Sequence, residues 1–204
     1  LSGICMKIAP RLKLVNPSTG ETFRELSYHL WDEVKSQLII ANEAQKEWQH
    51  SSIDSRIQLI QNAMDYFKSN LDIIAQDITL QMGKPIGQSK NEVKSAIYRA
   101  EVCCSLAKDA LQDIALPKKE GFQRYICREP LGVVLDIAAW NYPLLIAVNI
   151  VVPAILAGNA VVIKHSSITP LCAIAFQEAF KHAAAPKGLI TSLIMDHKIT
   201  EQAI

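Results

Sequence analysis

The sequence lacks an excess of charge of either sign. Among its 204 residues are 21 lysines and arginines and 20 aspartates and glutamates, which gives a formal net charge of +1. Proteins that bind nucleic acids or anionic membranes need clustered positive charge to neutralise phosphate groups. The composition therefore gives no support to a nucleic-acid or membrane partner.

The cysteines form no recognisable disulfide framework or metal site. Their number is odd, their spacing fits no paired metal-ligand pattern, and two of them are adjacent and cannot easily bridge. They are Cys5, Cys103, Cys104, Cys127 and Cys172. The amino terminus also lacks the basic and apolar segment of a secretory signal. We therefore predict reduced thiols, no metal and a cytoplasmic location.

The sequence contains no uninterrupted apolar run that predicts a membrane span. The stretch from Leu144 to Ile163 has the necessary length, but Asn149, Pro153, Gly158 and Asn159 interrupt it. The same residues are typical of a helix, a turn and a buried strand. We therefore predict no transmembrane helix.

The first half of the chain is rich in amphipathic helical patterns. Turn-forming residues between short apolar segments at 14–22 predict a hairpin-like start. Three stripes of apolar residues at steps of three and four follow, over Leu30–Trp48, Ile57–Ile74 and Val93–Leu111. The third stripe places Cys104 in the core. Helical hairpins are thus predicted for residues 14–117, after an amino-terminal extension over residues 1–13.

The second half changes to an alternation of strands and helices. A linker and strand segment over residues 118–131 contains a predicted strand, Phe122–Cys127. The buried strands predicted after it are Val133–Ile137, Ala160–Ile163 and Leu189–Ile194, and the helices between them are Pro143–Leu156 and Pro170–His182. Residues 132–204 thus predict an α/β fold, the first part of an incomplete doubly wound, Rossmann-like parallel sheet.

The glycine-rich dinucleotide fingerprint is absent, because none of the eight glycines falls in that spacing. The residue patterns alone therefore predict an α/β domain with a ligand site at the strand ends, and no specific chemistry.

Several short motifs, in order along the chain, resemble those of the aldehyde dehydrogenase superfamily. They are Asn16-Pro17 with Thr19-Gly20-Glu21, Met82-Gly83-Lys84-Pro85, Arg128-Glu129-Pro130-Leu131-Gly132, Trp140-Asn141-Tyr142-Pro143-Leu144, and Ala157-Gly158-Asn159 with Ile163-Lys164. The resemblance extends from about Leu14 to Ile204. It implies an NAD(P)-dependent oxidation of a small-molecule aldehyde to a carboxylic acid through a cysteine-bound thioester.

The resemblance implies a catalytic role for Asn141. In the family, the asparagine of this motif points its amide at the substrate carbonyl oxygen, which becomes an alkoxide when a thiolate attacks. A preorganised neutral donor stabilises that charge by roughly 3 to 4 kcal/mol. Outside such a motif, an asparagine at this place would be interpreted as a turn residue before Pro143.

The resemblance also implies where NADP or NAD binds. Lys164 matches a lysine that contacts the adenosine ribose. Ser167 stands where many NAD-preferring members carry a glutamate that would repel a ribose phosphate. The backbone of Ile137, Ala138, Ala139 and Trp140 resembles the segment lining the cofactor cleft. Tyr142 resembles a residue of the substrate tunnel, although Trp140 and Tyr142 could also be core aromatics.

The substrate stays open at this point. The pair Lys164-His165 resembles that of semialdehyde-oxidising members. However, succinate-semialdehyde enzymes often place an arginine eight residues after the asparagine, and Asn149 occupies that place here.

The sequence reaches Ile204 before the family's glycine-rich nicotinamide-side motif, glutamate base and cysteine nucleophile appear. We therefore predict the amino-terminal part of an enzyme that forms a homo-oligomer at full length. The alternative is a truncated, non-catalytic binding or interaction module. Half a sheet would leave Val161, Val162 and the strand Leu189–Ile194 beside an unfilled edge, which invites pairing with another chain.

Overall fold

The computed structural model of the chain describes residues 9–204, so Cys5 lies outside the described residues. The described part begins with an antiparallel hairpin of β1 (Arg11–Val15) and β2 (Thr22–Ser27). Its turn is held by Asn16, whose side-chain oxygen accepts the Ser18 backbone N–H at 3.0 Å. The predicted hairpin is confirmed, and it precedes four helices.

These helices are α1 (Trp31–Trp48), α2 (Ile53–Ser69), α3 (Leu71–Met82) and α4 (Ile86–Leu111). The Ser52 hydroxyl caps α2 by accepting the Ser55 N–H at 3.1 Å. The prediction of one continuous helix over Ile57–Ile74 was wrong, because Asn70 leaves the helical conformation and separates α2 from α3. Its side-chain amide donates to the Tyr66 carbonyl oxygen at 2.9 Å, which ends α2.

Helix α4 is the longest helix of the described part and packs against α2, α3 and α5 (Pro143–Leu156). Its predicted apolar stripe is buried, and Cys104 belongs to the core as expected. The helical pattern therefore predicted this face of the molecule correctly.

The segment after α4 is less regular than predicted. Only Tyr125–Ile126 (β4) of the expected strand Phe122–Cys127 is extended and paired. Its partner is Ile114–Ala115 (β3), which the sequence pattern did not indicate. Both short strands are exposed, so no buried face specifies a longer ladder.

The carboxyl-terminal part is a parallel sheet with helical crossovers, and the α/β prediction is confirmed. Its strands are β5 (Val133–Ala138), β6 (Ala160–His165) and β7 (Ile190–Ser192), in the order β5-β6-β7. The predicted bounds of α5 and of α6 (Pro170–His182) agree with the structure. A further helix, α7 (His197–Ala203), was not predicted.

Strand β6 is the central strand of this sheet and is buried along its whole length. Val161 and Val162 pair with Val134 and Leu135 of β5 on one side and with β7 on the other. The expectation that they flank an unfilled edge was therefore wrong for these two residues. Helices α1, α5 and α6 pack against β6. In the range 9–204, no helix is both long and apolar enough to cross a membrane.

Candidate functional site

The turn between β5 and α5 carries most of the predicted site. It consists of Ala139, Trp140, Asn141 and Tyr142, and α5 begins immediately after it with Pro143. Trp140 is 49% exposed and Tyr142 is 54% exposed, so neither is a core aromatic. The turn lies at the carboxyl end of β5, where open parallel sheets present ligand sites.

Two buried charged residues hold the backbone here: Lys84 contacts the turn, and Glu92 contacts the start of α5. Lys84 Nζ donates to the Asn141 carbonyl oxygen at 3.0 Å and forms an ion pair with Glu92. Glu92 Oε1 accepts the backbone N–H of Leu144 at 2.9 Å. Lys84 belongs to the Gly-Lys-Pro motif, but nothing in the local sequence indicates this contact, and no sequence signal points to Glu92.

Lys164 lies beside the turn at the end of β6. It is paired in register with Ile137 of β5 and is only 7% exposed. Within residues 9–204, no acidic side chain forms an ion pair with it. Burial lowers the pKa of the Lys164 ammonium, since water no longer stabilises its charge. A buried cation without a protein counter-charge is suited to bind a polar or anionic ligand.

The other predicted cofactor residues lie around Lys164. Ser167 is exposed in the turn that follows β6, and Ile137 and Ala139 are exposed at the end of β5. Ala138 is buried, so only its backbone could line a cleft. The carboxyl ends of β5 and β6 lie side by side, and all the predicted residues lie at or directly after these ends. Their individual roles stay predictions.

His165 joins β6 to the start of α5. Its Nε2 lies 3.0 Å from the Pro143 carbonyl oxygen and its Nδ1 lies 3.0 Å from the Thr169 hydroxyl. A neutral ring with the proton on Nε2 satisfies both contacts, because it donates to Pro143 and accepts from Thr169. Burial, with a smaller contribution from the Lys164 charge, lowers the pKa of His165 to about 4. His165 is therefore neutral, and in this form it holds the Pro143 carbonyl group at the start of α5.

Asn159, a member of the same resemblance motif, has a structural role. Its side-chain oxygen accepts the Gly132 backbone N–H at 2.9 Å, and its amide donates to the Ala154 carbonyl oxygen at 3.2 Å. These bonds join the beginning of β5 to the end of α5. Both polar groups of the Asn159 side chain are thus bonded to the protein backbone.

Asn149 has an unexpected partner. Arg99 of α4 donates from Nη1 to the Asn149 side-chain oxygen at 2.9 Å, and both residues are exposed. Ile146 and Asn149 are three positions apart and therefore share one face of α5. Arg99 thus places a guanidinium at the face of α5 that carries Asn149.

Cys103, Cys104 and Cys172 are poor candidates for a nucleophile. Burial raises the pKa of the Cys103 and Cys172 thiols, and it raises the pKa of Cys104 to about 11. A thiol needs a lowered pKa to attack as a thiolate near neutral pH.

A cavity of about 410 Å³ lined by Gln37, Gln177 and Lys181 reaches Ile190 at the start of β7. It therefore lies at the opposite edge of the sheet from the Asn141 turn.

Sequence comparisons find relatives that are named as dehydrogenases. The chain is 31% identical over 188 residues to a probable NADP-dependent succinate-semialdehyde dehydrogenase of Synechocystis sp., covering 92% of this chain and 41% of the relative. It is 32% identical over 190 residues to the succinate-semialdehyde dehydrogenase [NADP(+)] of Deinococcus radiodurans, covering 93% and 40%. The chain thus spans about two fifths of the length of these curated relatives.

Solved structures give the same result for the fold. The succinate-semialdehyde dehydrogenase of Burkholderia pseudomallei is similar with a TM-score of 0.87 at 26% identity, covering 93% of this chain and 39% of that one. PnpE in complex with nicotinamide adenine dinucleotide is similar with a TM-score of 0.89 at 27% identity, covering 95% and 40%. Residues 6–204 match the family described as "Aldehyde dehydrogenase family". Since this match includes nearly the whole sequence, the chain belongs to the aldehyde dehydrogenase family.

Proposed function

We propose that this chain forms the cofactor cleft and one wall of the substrate site of an NAD(P)-dependent aldehyde dehydrogenase. The observation that carries the proposal is the exposed turn around Asn141. It adjoins the buried ammonium of Lys164, which has no acidic partner among residues 9–204. This arrangement combines a donor for an aldehyde oxygen with a cation for a cofactor, on neighbouring strand ends.

Asn141 serves this reaction through its side-chain amide. Among the described residues, its side chain makes no hydrogen bond, whereas its carbonyl oxygen is held by Lys84. A neutral amide can donate to the aldehyde oxygen and becomes more strongly bound as negative charge develops there. The amide is therefore available for a substrate and does not need to break a protein contact first.

Lys164 and Ser167 bind the adenosine ribose side of the cofactor. When bound, NAD or NADP supplies the hydride acceptor for aldehyde oxidation. Ser167 offers a hydroxyl and no carboxylate, so nothing at this position repels a ribose phosphate, and Lys164 lies on the neighbouring strand end to attract one. We infer that NADP is accepted as well as NAD, in line with relatives named for NADP.

The cofactor assignment is tested with the complete gene product and the Ser167→Glu variant. Ratios of kcat/KM for NADP and NAD are measured by the absorbance of the reduced nicotinamide. We expect a shift of at least about tenfold toward NAD, because a carboxylate repels the phosphate. Ser105→Glu, the same change at an exposed position on α4, is the control. An unchanged ratio in Ser167→Glu would contradict the assignment.

We further propose a substrate that carries a carboxylate, such as succinate semialdehyde. Arg99 places a guanidinium beside Asn149, on an exposed part of α5, the helix that begins directly after the Asn141 turn. A guanidinium recognises carboxylates through paired hydrogen bonds, which a semialdehyde would provide at its far end. This refinement agrees with the names of two relatives.

Arg99→Met should raise KM for succinate semialdehyde by about 10- to 100-fold and leave KM for butanal within about twofold. Arg99→Lys should retain part of the affinity, since it keeps the charge. Arg11→Met is the control, because Arg11 is exposed and pairs with Glu25 of the hairpin. Equal effects of Arg99→Met on both aldehydes would exclude a carboxylate site at Arg99.

A cytoplasmic location and a homo-oligomeric full-length form stay predictions. The same activity assay distinguishes the proposed enzyme from the alternative, a non-catalytic interaction module. A complete gene product that binds neither cofactor and oxidises no aldehyde would favour that module.

A further inference from the structure

Lys84 and Glu92 form a buried pair that contacts the backbone at Asn141 and at Leu144, three residues later. Lys84 is 8% exposed and Glu92 is 3% exposed. Gly83, in the left-handed conformation with a φ of 75°, ends α3 and turns the chain so that Lys84 points inward. Lys84 Nζ also lies 4.3 Å from the centre of the Tyr142 ring. The pair therefore reaches both Asn141 and its neighbour.

Glu92 replaces the missing cap of α5. Tyr142 occupies the N-cap position and makes no side-chain capping bond, so the first N–H groups of α5 have no local acceptor. Glu92 Oε1 accepts from Leu144 at 2.9 Å and lies 3.5 Å from the Leu145 nitrogen. A carboxylate at a helix amino terminus also interacts favourably with the helix dipole.

Lys84 fixes the carbonyl group of Asn141. Because its ammonium is paired with Glu92, the Asn141 carbonyl and the start of α5 are joined through one charged network. The network uses the backbone of the turn and leaves the Asn141 side chain without a partner in the described structure. The network thus fixes the backbone of Asn141 and leaves its side-chain amide available to a substrate.

We propose that Lys84 and Glu92 are positioning residues that hold the Asn141 amide in its productive orientation. This inference rests on the proposed function of Asn141. The competing explanation is a purely structural ion pair whose two members only neutralise each other's buried charge. The two explanations differ in what happens when both charges are removed together.

The test compares Lys84→Met, Glu92→Gln and the double variant in the complete gene product. Each single variant leaves one buried charge unpaired and should lower the Tm. The double variant has no unpaired charge, and its glutamine oxygen can still accept from Leu144, so its Tm should recover. Its kcat should stay about 10- to 100-fold below wild type, because the Asn141 carbonyl has lost its donor.

Two further readouts separate positioning from general damage. Cofactor affinity, measured by quenching of protein fluorescence, should stay within about twofold in the double variant. Hydrogen exchange should accelerate in residues 139–146 of Lys84→Met and not in the rest of α5. Lys90→Met is the matched control, because Lys90 lies on α4 and forms an exposed pair with Asp72 at 2.8 Å. It should change neither kcat nor exchange in this segment.

Recovery of both Tm and kcat in the double variant would overturn the positioning role and leave charge neutralisation as the explanation. Unchanged hydrogen exchange at 139–146 in Lys84→Met would also overturn it. If the wild-type gene product oxidised no aldehyde, the proposed function would fail, whereas the exchange measurement would still decide whether Lys84 holds the turn. The two failures are therefore distinguishable.

Discussion

The contacts of His165 predict a specific loss of stability in acid. His165 is buried and bonded as a neutral ring, with its pKa lowered from 6.5 to about 4. The unfolded chain binds a proton at this residue below about pH 6.5, whereas the folded chain does so only below about pH 4. The stability that neutral His165 contributes is fully present above its pKa in the unfolded chain. It is lost as the pH falls toward its pKa in the folded chain. At about pH 4.5 the loss amounts to about 2.5 kcal/mol.

Urea denaturation followed by tryptophan fluorescence, at about pH 7 and about pH 4.5, measures this loss. His165→Gln can still donate to Pro143 but does not titrate, so its stability should fall by about 2.5 kcal/mol less than that of wild type. Titration of the other groups is common to both proteins and cancels in the comparison. Equal losses in the two proteins, or a His165 resonance that titrates near its unfolded value, would refute the reasoning.

Three further predictions concern other parts of the chain. Gly188→Ala should cost about 2 to 4 kcal/mol of unfolding free energy in urea denaturation, because Gly188 has a φ of 89° and a Cβ would lie 2.9 Å from the Ile40 carbonyl oxygen. Asp136→Asn should stabilise the chain by up to about 3 kcal/mol at about pH 8, and by little near pH 4, since burial raises the pKa of Asp136 to about 6 and its buried Oδ2 has no hydrogen-bond partner within the described range 9–204. Residues 1–204 expressed alone should produce no reduced nicotinamide from aldehydes; turnover abolished by mutating one cysteine would contradict this.

Local sequence patterns predicted the elements that local chemistry determines. Helices α5 and α6 each begin with a proline, whose fixed φ suits the first helical turn, and their bounds agree with the predictions. The break at Asn70 was missed because the apolar stripe continues in phase from α2 into α3. The stripe shows which face is buried but not where the backbone leaves the helix.

Long-range polar contacts explain what the sequence could not predict about the site. Lys84 and Asn141 are 57 positions apart, and nothing in their local sequence indicates a hydrogen bond between them. The contact between Arg99 and Asn149 spans 50 positions and was missed for the same reason. The resemblance motifs identified the residues at the strand ends, whereas the contacts that support those residues required the fold.

The central claim is that Asn141 donates a hydrogen bond to the reacting aldehyde oxygen. Its most direct test is the steady-state kinetics of Asn141→Ala in the complete gene product, with cofactor affinity and Tm measured on the same samples. We expect kcat/KM of Asn141→Ala to fall by about 100- to 1000-fold while cofactor affinity and Tm stay nearly unchanged. Near-normal turnover, or a loss of activity in proportion to a loss of Tm, would contradict it and make Asn141 a structural turn residue.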